Sequence, residues 1–89
     1  MAYIVTLENI INGCTEELVE LEREIAYLKL RRDVRDSMYE AETDVCKQIS
    51  LLLQICNMDT EISEKRDAAL ELKYRISKMK MELEMERRE

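Results

Sequence analysis

Through most of this chain apolar residues recur at alternating steps of three and four, the spacing of one face of an α-helix. The cleanest run is Ile4, Leu7, Ile11, Cys14, Leu18, Leu21, Ile25 and Leu28. It puts Ile4, Ile11, Leu18 and Ile25 at heptad position a, and Leu7, Cys14, Leu21 and Leu28 at d. Ile at a with Leu at d favours parallel two-stranded coiled coils. Beyond Leu28 the polar Arg32 and Arg35 fall where the seam should continue. A displaced seam resumes as Val34, Met38, Ala41, Val45, Gln48, Leu52 and Ile55. The last run is Ile55, Met58, Ile62, Lys65, Ala69, Leu72, Ile76, Met79 and Leu83. There Ile55 passes from d to a through a three-residue insertion, a stammer in coiled-coil terms.

The pattern describes a single helical module over residues 1–89, in four blocks. Regular heptads occupy 1–28, and a charged, register-shifted stretch occupies 29–44. An apolar centre covers 45–58, and a second helical block runs over 59–89. In the apolar centre Val45, Cys46, Ile49, Leu51, Leu52, Leu53, Ile55, Cys56 and Met58 cover most of a helix circumference, the mark of burial on several sides.

Two places invite a break. Asn12-Gly13 could end a short first helix, with Thr15 capping the next one and Glu16 and Glu17 on its positive end. The strand propensity of Tyr3-Ile4-Val5-Thr6-Leu7 would suit a separate arm there. The seam crosses Gly13 in register, which favours a continuous helix. At Asn57-Met58-Asp59-Thr60, Asp59 or Thr60 could cap a helix with Glu61 in its first turn, giving a break or hairpin near residues 56–60.

Composition narrows the fold class. The 89 residues hold no proline, one glycine and neither Phe nor Trp, with 38% charged and 4% aromatic residues. That matches a long-helix protein and leaves little material for tight turns or strands. The expected fold is all-α, an elongated coiled coil or helical bundle formed by oligomerisation of long helices. A single continuous helix would span about 110–130 Å. The closing run Met81 to Glu89 is helical without a C-cap glycine, as in a helix that continues in a longer parent.

Charge is segregated: residues 1–28 sum to −5, 29–35 to +3, 36–64 to −6 and 65–89 to +2. Pairing the acidic first third with the basic stretch Lys65 to Lys80 suits an antiparallel arrangement, against the parallel preference of the first heptads.

The expected oligomer interface is Ile11, Cys14, Leu18, Leu21, Ile25, Leu28, Val45, Ile49, Leu52, Leu53, Ile55, Met58, Ile62, Ala69, Leu72, Ile76, Met79 and Leu83. Candidate partner-binding residues are the basic Lys29, Arg31, Arg32 and Arg35, with the second stripe Leu70, Tyr74, Met81 and Met85. Neither set is catalytic, and no cofactor or metal is expected. Without histidine there is no ordinary general base near neutral pH, and one glycine cannot build a phosphate-cradling loop. Cys14, Cys46 and Cys56 form no CxxC pair and fit reduced thiols at helix contacts. The net charge of −6 opposes general nucleic-acid binding, and the basic cluster is punctuated by Asp33 and Asp36. Largely acidic polar faces also oppose docking on anionic membranes. No run reaches the roughly 18–20 apolar residues of a membrane span, and residues 1–12 lack the basic lead of a signal peptide.

These features point to a structural oligomerisation or scaffold module of a larger complex in the cytoplasm or nucleus, of the cytoskeletal or spindle and chromosome-associated kind. Its partners would be other helices, in a homo-oligomer (dimer or tetramer) or a hetero-coiled-coil. The alternative is an adaptor that recruits a partner through its basic and Met/Leu faces. A weaker alternative is nucleic-acid binding through residues 29–35.

Overall fold

The computed structural model describes residues 2–88; Met1 and Glu89, the outer ends of the first and last blocks, lie outside the described residues. Helix α1 spans Ala2–Ala41 and helix α2 spans Val45–Arg88, and the two fold back on each other as an elongated hairpin. No strand occurs among the described residues. The rod measures 68 × 14 × 14 Å. That is about half the length of one unbroken helix, so the chain supplies its own seam partner.

The reversal sits at residues 42–44, not at 56–60. Carboxylates build it, without any glycine. Asp44 caps α2, its Oδ1 accepting from the amides of Cys46 at 2.9 Å and Lys47 at 3.3 Å. The Glu42 carboxylate accepts from the amides of Thr43 (3.2 Å) and Asp44 (3.1 Å). Gln48 Nε2 donates to the Glu42 carbonyl at 2.6 Å, satisfying an oxygen freed at the end of α1. No described residue has a positive φ.

Both expected breaks are continuous helix. Thr15 and Thr60 do not cap; their hydroxyls donate to the carbonyls four residues back, Ile11 at 2.7 Å and Cys56 at 3.0 Å. Such back-bonding satisfies the hydroxyl inside a helix and needs no helix end. The segment Tyr3 to Leu7 is likewise helical, with Thr6 bonded to the Ala2 carbonyl at 2.9 Å.

The seam explains why the chain must reverse. On α1 the heptads of Ile4 to Leu28 run on unbroken through the half-buried Arg32, Arg35, Tyr39 and Glu42. On α2 they run from Gln48 through Leu51, Ile55, Met58, Ile62, Lys65, Ala69, Leu72, Ile76, Met79 and Leu83 to Glu86. The register shift expected after Leu28 and the stammer expected at Ile55 are therefore absent. A single offset lies between Glu42 and Gln48, two residues beyond the usual step of four. Two residues rotate a helix by about 200°, so one straight helix would carry its two seams on nearly opposite sides. Folding at 42–44 turns them toward each other.

Two buried clusters hold the hairpin. Leu7, Ile11, Ile76 and Leu83 form one near the open end, flanked by Ile4, Cys14, Leu18 and Met79. Ile25, Leu28, Ile62 and Ala69 form the second, flanked by Leu18 and Leu21. Near the turn the seam is mixed: Leu51 and Ile55 are buried on α2, facing the half-buried Arg32, Arg35 and Tyr39 of α1. The aliphatic stems of such residues cover apolar surface while their heads reach water.

Candidate assembly surface

Cross-helix polar pairs fix the antiparallel register. Lys65 Nζ donates to Glu24 Oε2 at 2.7 Å and Arg32 Nε to Asp59 Oδ1 at 2.8 Å. Arg35 Nε donates to Gln54 Oε1 at 3.0 Å, and Lys73 lies 3.6 Å from Glu22. At the open end Arg87 pairs with Glu8, and the Tyr3 hydroxyl donates to Glu82. The segregated charges thus meet within the chain, and a three-residue connection permits only antiparallel neighbours. The parallel preference of the Ile/Leu heptads yields to both.

These pairs also shift titrations. The hydrogen bond to Glu24 holds the Lys65 amine above its ordinary value, against the opposing effect of desolvation. Asp59 does the same for Arg32, first by its hydrogen bond and then by its charge. Glu82 raises the Tyr3 phenol.

The expected interface residues fall into two groups. Ile11, Cys14, Leu18, Leu21, Ile25, Leu28, Ile55, Met58, Ile62, Ala69, Leu72, Ile76, Met79 and Leu83 lie in the seam within the chain, buried or half-buried. Val45, Ile49, Leu52 and Leu53 point outward, with 65%, 54%, 41% and 62% of their surface exposed. The buried residues of this stretch are instead Leu51 and Ile55. Leu51 belongs to the all-round apolar centre, where periodicity alone does not separate it from Leu52.

Val45, Ile49, Leu52 and Cys56 recur at steps of four, three and four, which makes them a second seam on α2 beside the first. Leu53 widens it. Cys46 and Cys56 are exposed at its two ends, whereas Cys14 is half-buried in the hairpin. Within residues 45–58 Lys47 is the one charged residue, in a chain that is 38% charged. Charge depletion with exposed large aliphatics is the composition of an interface centre, not of a solvated face. On α1, Tyr27, Leu30, Val34 and Met38 are exposed too, but basic residues border them, and Arg31 lies over the Tyr27 ring at 5.6 Å.

The four basic candidates do not form one patch. Arg32 and Arg35 reach across to α2, while Lys29 and Arg31 are exposed. Leu70, Tyr74, Met81 and Met85 stand outward along the far part of α2, each more than 60% exposed, with Lys78 over the Tyr74 ring at 5.3 Å. Among the described residues no cluster of His, Cys, Asp or Glu could hold a metal ion. None of the described helices is long and apolar enough to cross a membrane. Comparison with protein-family models, with curated proteins and with solved structures finds no match to this chain.

Proposed function

We propose that this protein is a structural assembly module: a hairpin strut that joins further helices through the apolar stripe of α2 and so takes part in a larger complex of the cytoplasm or nucleus. One observation carries this. The hairpin satisfies its own seam, yet it leaves an uncharged stripe of large aliphatic side chains in water on the flank of α2. Exposing such a stripe has a hydrophobic cost of about 25 cal/mol per Å² that a packed helix would remove.

Leu52 and Leu51 are adjacent and separate the two seams, so charging each tests the proposal. Leu52→Glu leaves the hairpin intact, because its side chain already faces water, and abolishes association. Leu51→Glu buries a charge against Ile55 and unfolds the turn-proximal half. Circular dichroism reads the folding, and sedimentation together with co-purification of bound helical partners reads the association. A wild type that neither self-associates nor retains any partner in a Leu52-dependent way refutes the proposal.

The stripe Leu70, Tyr74, Met81 and Met85 supports a second reading, an adaptor that presents this Met-rich face and the exposed Lys29 and Arg31 to a specific partner. Met81→Lys with Met85→Lys should then abolish capture of that partner and leave stripe-dependent assembly unchanged.

A further inference from the structure

We infer that the occupant of the α2 stripe is a second copy of this chain, packed antiparallel with turn end beside turn end. This inference rests on the assembly reading above and names its partner. The stripe is self-complementary. A twofold axis between Ser50 and Leu51 sets Val45 against Cys56 of the second copy and Ile49 against Leu52, and its symmetry mates repeat both contacts. One register thereby covers every residue of the seam, each a against a d, as antiparallel helices pack.

Charge selects the same place and the same orientation. Two hairpins laid side by side in parallel would set each charged segment beside its own copy, −5 beside −5 over residues 1–28 and +2 beside +2 over 65–89. The stretch 45–58, with its single lysine, is where two copies can approach without that repulsion. Antiparallel packing limits the overlap to about 17 Å of helix, and the arms then point away from each other. Each stripe exposes on the order of 400 Å² of apolar surface, at the size of the largest patches monomers leave in water. Two of them approach the ~1,000 Å² of a specific interface. Such an interface gives a reversible dimer that dissociates on dilution.

The two exposed cysteines report the geometry. Antiparallel packing brings Cys46 beside Cys56 of the second copy, whereas parallel packing brings like beside like. Within one helix the two thiols lie about 15 Å apart, beyond the span of a short bis-maleimide. The experiment is sedimentation equilibrium of the reduced full chain over a concentration series, followed by bis-maleimide cross-linking and peptide mapping. The expected result is a monomer–dimer equilibrium with Cys46–Cys56 cross-links between copies. Leu52→Glu should remove both while leaving the helical signal unchanged. Cross-links of Cys46 to Cys46 and Cys56 to Cys56 would overturn the orientation. A wild type that stays monomeric at every concentration would overturn the second copy as occupant. Leu52-dependent capture of a different helical protein by that monomer would leave the assembly reading standing.

Discussion

Gly13→Ala should stabilise the protein. Gly13 lies inside α1, with a φ in the ordinary negative range and nothing within 4 Å of where a Cβ would sit. The added methyl group therefore meets no neighbour and forms no new contact. Its effect comes from the unfolded chain, which loses conformational freedom, and from the better helix propensity of alanine. Glycine in a helix interior costs about 0.5–1 kcal/mol relative to alanine. For a domain of this size that is a rise in Tm of roughly 2–8 °C. With a urea dependence of about 1 kcal/mol per M, the midpoint should move up by about 0.5–1 M. The assay is thermal and urea unfolding followed by helical circular dichroism at one fixed protein concentration, since association couples to stability. Molar mass should not change, because Gly13 lies far along α1 from the turn. An unchanged or lowered Tm would refute the reasoning. It would mean that Asn12-Gly13 is a helix end in solution and that the residues before it form a separate arm.

Further predictions concern the seam, the turn and the ion pairs. Ile62→Ala, at 5% exposure in the second buried cluster, should cost about 2–5 kcal/mol; a loss under about 1 kcal/mol in urea unfolding would place Ile62 outside the core. Asp44→Ala removes the α2 cap and should cost about 0.5–2 kcal/mol, whereas Asp59→Ala removes an ion pair and no cap. Equal helix loss in both variants, read by amide exchange at residues 45–48 and 60–63, would contradict a turn at 42–44. The Lys65–Glu24 pair adds stability that is fully present below the ordinary lysine value of 10.5 and is lost as pH climbs through the raised folded value. Thermal scans at rising alkaline pH should show that loss in the wild type and a smaller one in Lys65→Met, and identical profiles would show that the pair adds nothing.

Most of both seams was legible in the sequence. Ile4 to Leu28 and Ile55 to Leu83 hold the heptad positions that their spacing assigns. The middle was not legible, for a physical reason. Residues 45–58 are apolar nearly all round, so Val45, Ile49 and Leu52 fit a helical seam as well as Leu51 and Ile55 do. Continuing the seam through Val34 and Met38 keeps arginines out of it, and hydrophobicity alone prefers that course. The fold instead holds Arg32, Arg35 and Tyr39 half-buried in the seam, where Asp59 and Gln54 receive the two guanidinium groups. The turn itself left a faint trace: Asp44 stands just before an apolar run, where a cap belongs. Thr15 and Thr60 carried similar signals without ending any helix.

The sequence by itself determined that the chain is helical, that its apolar residues form narrow seams, and that its charges favour antiparallel neighbours. These follow from short-range spacing, from the absence of proline and from the near absence of glycine. Tertiary structure decided where the chain reverses and which of two overlapping stripes on α2 is buried. That choice depends on residues far apart in the chain. The seams of α1 and α2 are offset by two positions, and only a reversal at residues 42–44 lets them meet. Once Leu51 and Ile55 face α1, helical geometry turns Val45, Ile49 and Leu52 toward the solvent and whatever packs there.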